Sequence, residues 1–192
     1  MRALASVGLG VLLLMPALLV AGAPEDALRQ TVDQLLVVLK DPRLKEEGNQ
    51  VERRRKLKEL IYQRFDFMEM ARRSLGPEWG RRSPEEQKDF VRLFTNLLET
   101  TYLDQIESYS GQKVRYLKGR VHANYAEVDT KVVDNKGQEF SFNYRLHNRD
   151  GDWKVYDVII EQISLVNNYR AQFNRVLARS SFKDLLESMK QK

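Results

Sequence analysis

Few side chains in this sequence can do chemistry. It has no cysteine and two histidines, His122 and His147. Without thiols there is no thiolate nucleophile and no thiolate metal site. The sequence carries no glycine-rich phosphate loop and no metal-ligand spacing. His147 with Asp157 is the pair that invites acid/base work. A lone histidine on a strand is ordinarily a solvated polar residue, and the register derived below sets His147 beside Lys154, with Asp157 on the opposite face. Asp157 is the odder residue, because it sits among Trp153, Val155 and Ile159. It either braces the fold, hydrogen-bonded to Tyr144 or paired with Arg170, or touches a ligand head group. A lyase or isomerase using Asp157 and Tyr144 is the enzymatic alternative. The expectation is no enzyme, no metal and no cofactor.

The elements that position these residues read clearly. Pro24–Lys40 predicts a helix with an apolar stripe of Leu28, Val32, Leu35, Leu36 and Leu39. A second helix covers Val51 to Phe65, and a shorter one Asp66 to Leu75 before Gly76-Pro77. In "SPEEQKDFVRLFTNLLETTYLDQIESYSG", Ser83 caps, Pro84 starts and Glu86 closes a capping box. Phe90, Leu93, Phe94, Leu97, Leu98, Tyr102 and Ile106 then form a wide apolar face.

The hydrophobic period changes to two after Gly111. Val114 and Tyr116 belong to one strand, Ala126 to Val132 to another, Phe140 to His147 to a third and Trp153 to Ile160 to a fourth. Asn135-Lys136-Gly137 and Asp150-Gly151 are hairpin loops that set register. The first places Val132 opposite Phe140, Thr130 opposite Phe142 and Val128 opposite Tyr144. The second places Leu146 opposite Val155, Tyr144 opposite Asp157 and Phe142 opposite Ile159. Helices from Ser164 and from Ser181 close the chain. The fold class is α+β: N-terminal and C-terminal helices packed on a curved antiparallel meander. The strand Trp153–Ile160 carries apolar residues on both faces, so its second face needs an apolar partner. Periodicity alone does not tell a packed core from a lined cavity.

"MRALASVGLGVLLLMPALLVAGA" has one basic residue, an uncharged apolar run and Ala21-Gly22-Ala23. Residues 1–23 read as a secretory signal peptide, and 24–192 as a single domain; an uncleaved anchor is the alternative. The net charge is +5 and the pI about 9.4. An exported chain with no nucleic-acid motif gives that charge no nucleic-acid role. Arg43 to Arg82 holds twelve Lys/Arg against seven Asp/Glu, including Arg53-Arg54-Arg55-Lys56. This is a solvated helix face or an attraction to anionic lipid or an acidic partner.

Two blocks resemble the periplasmic phospholipid-binding proteins of the Mla (maintenance of lipid asymmetry) pathway, the toluene-tolerance family. One is "GDWKVYDVIIEQISLVNNYRAQF", through Trp153, Tyr156, Asp157, Ser164, Asn168, Tyr169, Arg170 and Phe173. The other is "LGPEWGRRSPEEQKDFVRLFTNLLETTYLDQIESYSGQKVRY", through Trp79, Gln87, Phe90, Phe94, Leu98, Tyr102 and Tyr109. One residue departs from the pattern: Gln162 stands where glycine is expected between strand and helix. The resemblance implies a periplasmic carrier that holds phospholipid as cargo by its acyl chains, with the head group outside. It implies partners too: an inner-membrane MCE-type protein with its ABC transporter, and an outer-membrane lipoprotein complex. A hopanoid-associated branch of the family is the neighbouring alternative. The cavity wall it implies comprises Phe94, Leu98, Tyr102, Val128, Thr130, Val132, Phe140, Phe142, Tyr144, Leu146, Val155, Ile159 and Phe173. Asp157 and Arg170 form a structural pair or a head-group contact.

Overall fold

Most of the helices begin where the sequence supplies a side-chain cap. The computed structural model describes residues 23–109 and 111–191; the expected signal peptide, apart from Ala23, lies outside them. Helix α1 spans Pro24–Lys40 with proline in its first turn and Glu25 and Asp26 against the positive end of the helix dipole. Helix α2 spans Gln50–Arg64 and α3 spans Phe67–Leu75, where Asp66 accepts the amide of Glu69. Helix α4 spans Pro84–Glu107, and its capping box from Ser83 and Glu86 is complete. Helix α5 spans Leu165–Leu177, capped by Ser164, and α6 spans Phe182–Lys190 with a capping box from Ser181 and Asp184. Among the described residues no helix is long and apolar enough to cross a membrane.

The sheet is antiparallel in the order β1 (Lys113–Tyr116), β3 (Tyr125–Val133), β4 (Glu139–Arg149), β5 (Asp152–Ile160) and β6 (Ile163–Ser164). Strand β2 (Arg120–His122) also pairs with β3. The first hairpin has the expected register, with Val132 opposite Phe140, Thr130 opposite Phe142 and Val128 opposite Tyr144. The second departs from it halfway. Leu146 faces Val155 and His147 faces Lys154, but a bulge follows, so that Tyr144 faces Val158 and Phe142 faces Ile160. Tyr156 is the extra residue that a bulge leaves unpaired. A shift of one position moves every later side chain to the other face. Val158 and Ile160 therefore turn inward with Tyr144 and Phe142, while Asp157 and Ile159 turn outward beside Arg145 and Asn143.

The junction of α2 and α3 is fastened to the sheet edge. Phe65 bridges Val155, and the Asp66 amide donates to the Val155 carbonyl at 2.8 Å. Arg64 ties three elements together: its Nε donates to Thr31 Oγ1 of α1 at 2.9 Å, and its Nη1 donates to Asp152 and to the Trp153 carbonyl. The β5–β6 turn passes through Glu161 and Gln162, both at positive φ, +46° and +69°. Glycine adopts that conformation at least cost.

The apolar interior is not one mass. One cluster joins α3, α4, α5 and α6 around Phe90, Phe94, Leu97, Tyr169 and Phe173. A second joins α1 to the inner sheet face through Leu28, Val128, Leu146 and Val155. A third, Leu39, Leu57 and Leu103, joins the far ends of α1, α2 and α4. A domain of this size ordinarily has one contiguous core. The division here falls around a cavity.

Candidate functional site: an apolar cavity with a polar neck

The cavity has a volume of about 320 Å³ and lies between the sheet and helices α1, α2 and α4. The inner face of β4 and β5 supplies Phe142, Tyr144, Val158 and Ile160, and Leu165 closes that end from the start of α5. Helix α1 contributes Leu28, Thr31, Val32 and Leu35, and α2 contributes Ile61, Tyr62 and Phe65. Phe67 and Met70 come from α3, and Leu98, Tyr102, Leu103 and Ile106 from α4. These residues are nearly all aliphatic or aromatic, so the interior offers a ligand burial rather than hydrogen bonds.

The few polar groups are placed by depth. Tyr144 reaches the cavity from the sheet, and burial pushes its phenol up to about 12. Tyr102 is also pushed up to about 12, first by burial and then by the neighbouring Tyr169. Both phenols stay neutral at any physiological pH. Lys58 and Glu99 pair across α2 and α4 at 2.6 Å, and the Tyr62 hydroxyl donates to the same carboxylate. Burial and then the Glu99 carboxylate push the Tyr62 phenol well up. These three residues form a polar neck. Beyond it lies a more open groove of about 550 Å³ between α2 and α4, lined by Val51, Arg54, Arg55, Glu59, Thr100 and Asp104 as well as the neck.

Among the residues expected to line the cavity, Leu98, Tyr102, Phe142 and Tyr144 are in its wall. Phe94 and Phe173 instead pack on each other and on Tyr169 in the helical core, with ring centroids 5.3–5.9 Å apart. Val128, Leu146 and Val155 have no exposed surface and fill the packed junction of sheet and α1. Thr130 is buried and donates to the Phe142 carbonyl at 2.8 Å. Val132 and Phe140 sit at the far end of their hairpin, where Phe140 is exposed. Ile159 is on the outer face because of the β5 bulge. Sequence reasoning missed the walls given by α1, α2, Val158 and Ile160. The stripe Leu28, Val32, Leu35 on α1 was a usable signal, but its depth beneath the sheet follows from tertiary packing.

Asp157 and Arg170 do not meet. The Asp157 carboxylate accepts from Ser164 Oγ at 2.7 Å, from the Val166 amide at 3.1 Å and from Arg145 at 3.2 Å. It thus holds the first turn of α5 to the sheet, as a carboxylate at a helix N-terminus does. Arg170 donates to the Arg73 carbonyl at 2.8 Å and so ties α5 to the end of α3. The inward-facing Tyr144 and the outward-facing Asp157 are on different faces, so the acid/base pair of the enzymatic alternative is not assembled. His147 is not a solvated strand residue either. It is buried, with Nε2 3.0 Å from Asp66 Oδ2, because the α2–α3 junction lies over it. The bulge brings Asp157 to the same face as His147, yet each carboxylate and ring has its own separate partners.

An α+β protein whose sheet and long helices part around an apolar cavity has the form of a protein that houses an apolar ligand. The family model described as MlaC protein matches residues 29–191, and the chain belongs to that family. The intermembrane phospholipid transport system binding protein MlaC of Haemophilus influenzae is 24% identical over 122 residues, 61% of this chain; the match spans 57% of that protein's length. The toluene tolerance protein ttg2D of Pseudomonas putida is 27% identical over 177 residues, covering 90% of this chain and 82% of that protein. The structure of the phospholipid-binding protein from Ralstonia solanacearum in complex with a phospholipid superimposes with a TM-score of 0.79. It is 27% identical, over 88% of this chain and 95% of that one.

Proposed function

We propose that this protein is a periplasmic phospholipid carrier that takes acyl chains into the cavity and leaves the head group outside. The observation that carries the reading is the cavity itself, lined mostly by aliphatic and aromatic side chains and bordered by a polar neck. Family membership and the phospholipid in the Ralstonia structure support it. Burying a methylene is worth about 0.8 kcal/mol. Two chains of about fourteen methylenes therefore cost on the order of 20 kcal/mol to expose to water. A lipid that crosses an aqueous compartment needs such an enclosure. In this reading the carrier receives and delivers lipid between an inner-membrane MCE-type protein with its ABC transporter and an outer-membrane lipoprotein complex. Residues 1–23 direct its export.

A methylene-sized group needs about the volume of one water molecule, roughly 30 Å³. A space of about 320 Å³ then takes on the order of ten such groups. Full loading with two chains requires the helices to part, and the neck, where α2 and α4 meet through Lys58, Tyr62 and Glu99, is where that opening is placed in this reading. The test is transfer of a fluorescent phospholipid between donor and acceptor vesicles separated by a dialysis membrane. Catalytic amounts of the protein should accelerate transfer in proportion to protein concentration. No acceleration at any concentration contradicts the carrier reading.

A further inference from the structure

We propose that the groove between α2 and α4 is the head-group site for the lipid held in the cavity. It is built for a zwitterionic head group, a phosphate diester that bears its own amine, as in phosphatidylethanolamine. This rests on the carrier reading and adds to it which lipid class is preferred.

The groove adjoins the cavity through the neck, since Lys58, Tyr62 and Glu99 line both spaces. In this arrangement a lipid whose tails fill the cavity sets its phosphate at Lys58. The groove carries three cations, Arg54, Arg55 and Lys58, and three carboxylates, Glu59, Glu99 and Asp104. All three cations and Glu59 come from α2, whereas Glu99 and Asp104 come from α4. Lys58 meets Glu99 at 2.6 Å, Arg54 grips Asp104 and also reaches Glu107 at 2.7 Å, and Arg55 grips Glu59 and reaches Glu52 at 2.7 Å.

Every cation here already has a carboxylate, and that decides the head-group class. A phosphate entering at Lys58 and Arg54 takes those two cations from Glu99 and Asp104. Glu99 is largely shielded, with 18% of its side-chain surface exposed, so losing its partner is costly there. An ammonium on the same head group can stand in for the lost cation at Glu99, and its charge offsets that of the phosphate, so the net charge of the groove is preserved. A phosphoglycerol head group brings a negative charge with no cation and leaves the carboxylates facing it. A wholly basic groove would select anionic lipid; this one discriminates against it.

The experiment uses the delipidated full-length mature protein and vesicles of equimolar phosphatidylethanolamine and phosphatidylglycerol with identical acyl chains. Bound lipid is extracted and counted by mass spectrometry. The wild type should enrich phosphatidylethanolamine about two- to fivefold, the scale of one partly exposed charge contact. High salt should shrink that ratio. Glu99→Gln should move the bound lipid toward phosphatidylglycerol. Asp104→Asn, at a side chain that is 73% exposed, should do the same with no effect on folding. Equal proportions in the wild type and both variants, with the protein fully loaded, overturn the head-group site and leave the carrier reading standing. Failure to load either lipid overturns the carrier reading and this proposal with it.

Discussion

Placing a tryptophan at two heights on the same pair of strands, at Val158 or at Leu146, should give opposite results. Val158 faces the cavity opposite Tyr144, whereas Leu146, two residues along from Tyr144, has no exposed surface in the packed junction with α1. In Val158→Trp the indole enters the cavity and takes on the order of 100 Å² more apolar surface out of water. At about 25 cal/mol per Å² that contributes roughly 2.5 kcal/mol. Immobilising the larger side chain costs about 1 kcal/mol, leaving roughly 1.5 kcal/mol of stabilisation. For a chain of this length that raises Tm by about 3–6 °C. In Leu146→Trp the added bulk meets packed neighbours and costs about 1–3 kcal/mol or more, with Tm falling accordingly. Calorimetry on delipidated samples reads both. Delipidation is essential because bound ligand stabilises by about 2.7 kcal/mol at a hundred times its dissociation constant. Val158→Trp should also carry less lipid per mole when purified from cells. A matching fall in Tm for both variants, with lipid content unchanged in Val158→Trp, would refute the cavity as drawn here.

Three further expectations concern the frame around the cavity. Asp157→Ala strands the Val166 amide and the Ser164 hydroxyl at the start of α5, and should lower stability by about 3 kcal/mol, hence Tm by roughly 6–12 °C; a double-mutant cycle with Arg170→Ala should be additive, and coupling of 1 kcal/mol or more contradicts the assignment. Burial raises the Glu69 carboxyl, but hydrogen bonds from Arg72 and Arg73 outweigh it and hold it at about 2 against an ordinary 4.5. A depressed folded value gives stability that is present above about pH 4.5 and lost as pH falls toward 2; urea denaturation across that window should show a loss that Glu69→Gln abolishes. Gln162→Gly relieves a left-handed backbone at φ +69°, and should raise stability by about 0.5–1 kcal/mol, read as a higher urea midpoint; a lower midpoint contradicts the turn geometry.

Local rules located most of these elements from sequence alone. The capping boxes at Ser83 and Ser181 and the loops at Asn135 and Asp150 act within a few residues, so α4, α6 and the first hairpin's register were legible. The β5 bulge was not, because no glycine or proline marks Tyr156; strict alternation was the natural reading of Trp153 to Ile160, and it put Asp157 and Ile159 on the wrong face. Leu146 and Val155 kept their expected pairing but fill a packed junction rather than a cavity wall, a distinction that side chains of either composition do not mark in sequence. His147 was misjudged for a different reason. Its partner Asp66 is 81 residues away in sequence, at a helix cap whose docking on β5 is a tertiary event. The neck was unreadable for that reason too, since Lys58 and Glu99 look like ordinary charges on two helix faces until α2 and α4 are side by side.

The most direct measurement is the lipid content of the protein as the cell makes it. Protein released from cells by osmotic shock is purified without detergent, extracted with organic solvent, and its lipid quantified by mass spectrometry against protein mass. The account predicts phospholipid in near one-to-one proportion, with a fraction that drops sharply in Val158→Trp while the variant remains folded. A well-folded wild-type protein that yields no phospholipid, after release from cells rich in it, would contradict the account.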